Sequence, residues 1–268
     1  VLTSTALAVR PRYAVHTVVC DGCHRGWSEP ESSSVHRLVM VRSGRFRRRG
    51  HAGTVEVDRL CAYLATPGQS EQFAHPAGGD VCTAVTVDSA LWRSMAGSGS
   101  VSATAIAVDG RLDLAHRRCL VATRTGDQDF ALAEELIGLL AVAVRRAVPG
   151  PLPDASGRRD RGLVAAAREA IRERDPAAAG LVPLAQRLAV SPFRLSRAFS
   201  REMGESITAY RNRFRVARAL DAIERSDRSL ADLAAELGFA DQAHLARTLR
   251  AQVGYPPSAI RALLRPRV

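Results

Sequence analysis

The sequence predicts an α+β chain of two domains, an N-terminal β-barrel followed by an all-α domain with two helix-turn-helix units. Three observations predict it. Residues 12–87 break into short apolar runs separated by turn chemistry. Residues 184–211 and 233–261 are two copies of one short helix, tight turn and second helix. Between these regions lies a stretch at 149–162 that is rich in Pro, Gly, Asp and Arg and has no apolar period. The domain boundaries follow as 1–148, a linker at 149–162, and 163–268. At 268 residues with 46% apolar content, the chain is long enough for two separate cores.

The strands expected in the first domain are 13–19, 35–42, 45–49, 54–57, 60–66, 70–75 and 81–87. Ser43-Gly44, residues 50–53, Pro67-Gly68 and residues 76–80 interrupt them at intervals that suit an antiparallel barrel better than a βαβ fold. From Asp88 the pattern turns helical, with a short segment to Met95, a Gly/Ser break at 97–100, a strand-like stretch to Val108 and a helix near 113–123. Residues 129–148 form the clearest helix of this half. Leu132, Leu136, Leu139, Leu140, Ala143 and Ala147 mark one stripe of it, and Phe130, Ile137, Ala141, Val144 and Val148 mark a second. A helix apolar on two sides needs two apolar neighbours. The barrel supplies one; the other is either the same helix of a second subunit, giving a homodimer, or more of the same chain.

After the linker, helices are expected at 160–174 and 182–189. Ser191 is placed to cap a helix over 192–203, with Pro192 at its first position, where a missing amide hydrogen costs nothing. That helix turns Leu195, Phe199 and Met203 inward, presents Phe193, Arg194, Ser196, Arg197 and Ser200 outward, and ends at Gly204. The second copy has a helix at 230–237, a turn through Gly238 and a helix at 241–253 ended by Gly254. Gln242, Ala243, His244 and Arg247 face outward, while Leu245 and Leu249 go inward. The copies are offset by 49 residues before the turn and 50 after it, so the second turn carries one extra residue. A helix over 207–225 joins them, about 28 Å long at 1.5 Å per residue. Two helices reading one face of DNA stand about 34 Å apart, and bending of the DNA absorbs a moderate mismatch.

The residue types suit that task. Arg bridges the guanine acceptors of the major groove, and Gln bridges adenine. Charge agrees: residues 1–150 hold 17 Arg against 14 acidic residues, whereas 151–268 hold 21 Arg against 13. A polyanionic partner therefore meets the second domain. Every basic residue among these is Arg, with no Lys, from which no function follows.

Residues 160–265 resemble the DNA-binding domain of AraC/XylS-type transcription regulators. The resemblance is carried by Leu184-Ala185, Ser191, Leu195, Arg197, Phe199, Gly204, Ser206, Tyr210, Arg215 and Ala219 in the first part. Leu233-Ala234, Gly238-Phe239, Leu245, Arg247, Gly254, Pro257 and Arg261 carry it in the second. It implies base contacts from Phe193, Ser196, Arg197, Gln242, Ala243, His244 and Arg247, and backbone contacts from Arg194, Ser200, Arg201 and Arg250. Departures are Leu249 and Ile260, where the family usually has aromatics, and Ser200, at a position often basic. The family also implies an operator in double-stranded DNA, RNA polymerase as a partner, and a cupin-like barrel ahead of the linker that binds an effector and dimerises.

All five cysteines lie in the first domain, and an odd number argues against a disulfide framework. Cys20-Asp-Gly-Cys23-His24 has the two-residue gap that suits zinc or a redox pair. With Cys82 following Gly78-Gly79-Asp80 near His75, a set of Cys20, Cys23, His75 and Cys82 is expected to converge on zinc or another soft metal if the first strand lies beside that segment; buried, inert thiols are the alternative. Cupin-type catalysis is not expected, because His16, His36, His51, His75 and His116 are isolated in sequence. With no apolar leader or membrane span apparent, the expectation is a cytoplasmic, non-enzymatic regulator. Its barrel senses a small organic effector; the alternatives are a metal or thiol sensor and a barrel that only dimerises.

Overall fold

The computed structural model describes residues 2–22, 24–51, 53–96, 105–124, 131–147, 158–190, 192–225 and 228–264. The chain divides into two units, residues 1–150 together with 258–268, and residues 151–257.

Among the described residues, the first unit carries ten strands. They are β1 (Leu2–Arg10), β2 (Tyr13–Cys20), β3 (Glu31–Ser32), β4 (His36–Ser43), β5 (Phe46–Gly50), β6 (Gly53–Val57), β7 (Cys61–Ala65), β8 (Ser70–Ala74), β9 (Asp80–Val87) and β10 (Ala105–Ala107). Helices α1 (Ser89–Ala96), α2 (Gly110–Ala122) and α3 (Ala131–Arg146) complete it. The strands form a six-stranded sheet in the order β1-β2-β9-β4-β7-β10 and a four-stranded sheet in the order β3-β8-β5-β6, with antiparallel pairing throughout.

The central strands of the larger sheet are buried on both faces, which is why they read as unbroken apolar runs. Leu38, Met40, Ala62, Leu64, Val85 and Val87 pack with Trp92, Leu112, Leu132, Leu136 and Leu139 of the helical layer. Their alternates Val39, Val41, Tyr63, Ala65, Cys82 and Ala84 pack with Phe46 and Val57 of the smaller sheet. Strands β1 and β3 carry no such signal. Ala8 is the sole buried residue of β1, which is held at the edge by backbone pairing to β2, and both residues of β3 are exposed.

On α3 the stripe Leu132, Leu136, Leu139, Leu140 and Ala143 is buried. Of the second stripe, Ile137 is 46% exposed, and Ala141 and Val144 are half-buried. Phe130 and Val148 lie outside the described residues.

Beneath the larger sheet, His116 of α2 lies 2.8 Å from Thr83 Oγ1 and is buried. Burial first, then Arg117, Arg42 and Arg59, push its imidazole down to about 3. The unfolded chain binds this proton near the ordinary value of about 6.5 and the folded chain does not. Stability is therefore full above about pH 6.5 and falls as pH drops toward 3, with a limiting slope of about 1.4 kcal/mol per unit from this group. Urea titrations of the first unit's transition between pH 7 and 4 will show this acid loss, and His116→Gln will flatten it.

The second unit contains α4 (Arg158–Arg172), a 3-10 turn (Pro176–Ala179), α5 (Leu181–Arg187), α6 (Pro192–Met203), α7 (Ile207–Arg225), α8 (Leu230–Glu236) and α9 (Gln242–Val253); α10 (Pro257–Leu264) follows in the chain. The repeat is reproduced at the level of single hydrogen bonds. Val190 N–H donates to Ala185 O at 3.0 Å in the first turn, and Phe239 N–H donates to Ala234 O at 2.8 Å in the second. The backbone between must pass through the left-handed region in both, with φ 54° at Ala189 and 70° at Gly238. Gly238 takes that conformation freely, whereas Ala189 is strained by its Cβ.

The helix ends follow local chemistry. Asp241 caps α9 through His244 N–H at 2.6 Å, and Gly254 closes it at φ 92°. Ser191, expected to cap α6, lies outside the described residues. Met203 is half-buried rather than fully inward, since it sits on the last residue of α6. Relief of the left-handed strain predicts that Ala189→Gly raises the stability of this unit by roughly 0.5–1 kcal/mol in chemical denaturation, whereas Gly238→Ala lowers it.

Candidate functional site

The two outward helices are α6 and α9. On α6, Leu195, Ala198 and Phe199 are buried, which turns Arg194, Arg197, Ser200 and Arg201 to solvent and leaves Ser196 half-buried. The side chain of Phe193 lies outside the described residues. On α9, Leu245, Leu249 and Val253 are buried, so Gln242, Ala243, Arg247 and Arg250 are exposed and His244 is half-buried.

Not all of these groups stand alone. Arg201 Nη1 donates to Asp160 of α4 at 3.2 Å, and Arg194 lies 3.7 Å from the same carboxylate. Two cations on one acid leave net positive charge at this edge, where a phosphate competes with Asp160 for both. His244 stacks edge-on against Phe239 at 5.4 Å and accepts a long bond from Ala240 N–H at 3.5 Å through Nδ1. In that tautomer the ring proton is on Nε2, which makes Nε2 a donor.

Helix α7 connects the two units of the repeat, and Arg215 ties it to the second turn. The Arg215 guanidinium donates to Leu237 O at 2.9 Å and to Gly238 O, and it lies 3.7 Å from the centre of the Phe239 ring. Burial, with Arg211 adding to it, pushes Arg215 down to about 10, so it stays charged at neutral pH. At the other end, Phe199 of α6 packs edge-on against Tyr210 of α7 at 5.3 Å. The resemblance included Arg215 without a role. Its function depends on carbonyls 22 and 23 residues away, which no local pattern reveals.

Residues 184–262 match the family model described as a helix-turn-helix domain. The match covers under a third of the chain and falls within the segment that resembles AraC/XylS-type regulators.

No curated protein matches the chain. Solved structures similar to it include ToxT from Vibrio cholerae strain SCE256, bound to an unsaturated fatty acid, with 9% identity over 95% of this chain and 96% of that one, and a TM-score of 0.37. The C-terminal domain of AraT, a response regulator from Geobacillus stearothermophilus, is 24% identical over 37% of this chain and 84% of that one, with a TM-score of 0.36. A cupin 2 conserved barrel domain protein from Leptotrichia buccalis is 11% identical over 32% and 41%, with a TM-score of 0.29.

The first unit holds a partly open cavity of about 410 Å³ between its sheets. Val39, Phe46, Tyr63, Phe73 and Ala84 give it apolar walls, and Arg37 and Glu31 give it a charged side. Glu71, 1% exposed, accepts from Arg48 Nε at 2.6 Å and from Arg37 Nη2 at 2.9 Å. Arg48 also lies over the Tyr63 ring at 4.6 Å. Burial, more than any charge, pushes the Tyr63 hydroxyl up, so it remains protonated.

At another part of the lining stand Cys20, His24, His75, Asp80 and Cys82. Strands β2 and β9 are neighbours, with Cys20 opposite Asp80 and Val18 opposite Cys82. His75 and His24 meet ring to ring, with His75 Nδ1 2.9 Å from His24 Nε2. Cys82 Sγ donates to Asp80 Oδ2 at 2.8 Å, and burial followed by Asp80 pushes this thiol up. Cys23 lies outside the described residues. His75 is therefore not isolated once the chain is folded, because a histidine 51 positions earlier reaches it. Elsewhere His36 stacks on Trp92 at 4.4 Å, and His116 faces Thr83. No helix of the described residues is long and apolar enough to cross a membrane.

If Arg215 fixes the second turn on α7, Arg215→Ala will lose roughly 2 kcal/mol of stability from this unit, and Arg215→Lys will recover only part of it. Urea unfolding followed by circular dichroism measures both.

Proposed function

We propose that this chain is a sequence-specific regulator whose barrel cavity takes a small organic effector and thereby changes operator binding. The observation that carries the DNA half is the equivalent exposure of Arg197 and Arg247, each on the second helix of its copy over a fully buried Leu195 or Leu245. In this reading Ser196, Arg197, Gln242, Ala243, His244 and Arg247 contact bases, together with Phe193. Arg194, Ser200, Arg201 and Arg250 contact phosphates. Ala243 offers only a methyl contact, so its neighbours dominate reading in that segment.

The sensing half is supported by a cavity within the 300–1,000 Å³ range of small-molecule pockets, apolar over most of its wall with a few convergent polar groups. The exposed Ile137, with Ala141 and Val144, is the proposed contact with the same helix of a second copy. RNA polymerase is the proposed downstream partner, reached once the operator is bound. No catalytic role is assigned in this reading.

Selection from a random duplex library, followed by gel shifts at fixed salt, tests the DNA half. Arg247→Ala is expected to weaken binding to the selected site by about 1–3 kcal/mol and to relax one base position. Unchanged affinity contradicts the assignment. For the sensing half, a small-molecule extract is expected to shift the binding curve of the wild type. Ala84→Leu, which fills the cavity, should leave basal DNA binding intact and abolish that response.

A further inference from the structure

We propose that Cys20, His24 and His75 form a binding site for a soft or borderline divalent cation of the zinc type at one end of the barrel cavity. Among the described residues, these three bring a thiol sulfur and two imidazole nitrogens within 4.8 Å of one another. A tetrahedral zinc ion with Zn–N bonds near 2.0–2.1 Å and a Zn–S bond near 2.3 Å holds such atoms roughly 3.3–3.6 Å apart. The observed 2.9 Å between His75 Nδ1 and His24 Nε2 opens to that value by a small ring rotation. The donor set, one sulfur and two nitrogens, selects zinc over magnesium or calcium, which prefer oxygen.

The surrounding chain supports the donors. His75 Nε2 lies 2.8 Å from Asp80 Oδ1, a buried carboxylate oxygen that accepts no well-aligned hydrogen bond. A cation on Nδ1 fixes the His75 proton on Nε2 and directs it at that oxygen, which is the carboxylate–histidine–metal arrangement. Asp80 is thus a positioning residue.

The backbone is held as well. His75 N–H donates to His24 O at 2.9 Å, and Ser28 N–H donates to Phe73 O at 2.8 Å, which lays residues 24–28 along the end of β8. Gly79 admits the close pass of Cys20, since a Cβ there would stand 2.3 Å from the Cys20 carbonyl oxygen. Access is provided by His24, which is exposed while Cys20 and His75 are buried.

Binding converts the Cys20 thiol, now 4.0 Å from Gly22 O, to a thiolate–metal bond and releases its proton to solvent. All three ligands line the cavity. The expected set of Cys20, Cys23, His75 and Cys82 changes accordingly: His24 joins it, and Cys82, committed to Asp80, lies outside the group of three. The site stands independently of DNA recognition.

The test uses the full chain, stripped with chelator and then titrated with zinc against a competing indicator, with metal content measured by mass spectrometry. One zinc per chain is expected. Cys20→Ser and His24→Ala should each weaken it at least tenfold, Asp80→Asn about 10- to 100-fold, and Cys82→Ser little. Cobalt(II) loading should give a thiolate-to-metal charge-transfer absorption that disappears in Cys20→Ser and persists in Cys61→Ser. His24→Ala removes an exposed side chain, so it reports on the site without risk to folding. A wild type that takes up no zinc, or zinc binding indifferent to both Cys20→Ser and His24→Ala, overturns the proposal. Gel shifts on the same samples separate the two readings, because zinc-free protein that still binds its selected DNA rejects the metal site alone.

Discussion

The relative placement of α6 and α9 is set by α7 and by the contacts that clamp its ends. Arg215 is the stronger clamp. It satisfies the carbonyls of Leu237 and Gly238, which the end of α8 leaves without partners, and it lays its guanidinium on Phe239. The aromatic packing of Phe199 on Tyr210 does the corresponding work for the first copy. The exposed side chains of α6 and α9 inherit their positions from these contacts rather than from their own helices.

The first unit obeys a different constraint. Its central strands are apolar on both faces because each separates two cores, one toward the helices and one toward the smaller sheet. Polar groups admitted between the sheets need partners, and the charged ones have them, although Arg37 Nε donates no hydrogen bond and Asp80 Oδ1 accepts none. Glu71 is held by Arg37 and Arg48, and Asp80 by the Cys82 thiol beside His75. The cavity lies between these two polar clusters, with aromatic and aliphatic walls. That combination suits a ligand with an apolar body and one or two polar ends.

How far the chain could be read before folding depended on the range of the signal. The limits of α6 and α7 follow from their apolar period, from Pro192 and from Gly204. Strand β1 was invisible because one buried residue in nine gives no alternation. The cysteine and histidine cluster is only half legible in sequence: the two-residue gap marks Cys20 and Cys23, but the partner that reaches His75 is His24.

What the sequence alone determined is therefore what is set within a turn or two of chain: helix stripes, the closing glycines Gly204 and Gly254, the duplicated turn with its 49- and 50-residue offsets, and the outward placement of Arg197 and Arg247. What only the tertiary structure decided is which distant groups meet. Arg215 finds Phe239, Glu71 collects Arg37 and Arg48, and β2 pairs with β9 so that Cys20 faces Asp80. Strand order and helix packing impose those meetings, and because the partners lie tens of residues apart, no local periodicity encodes them.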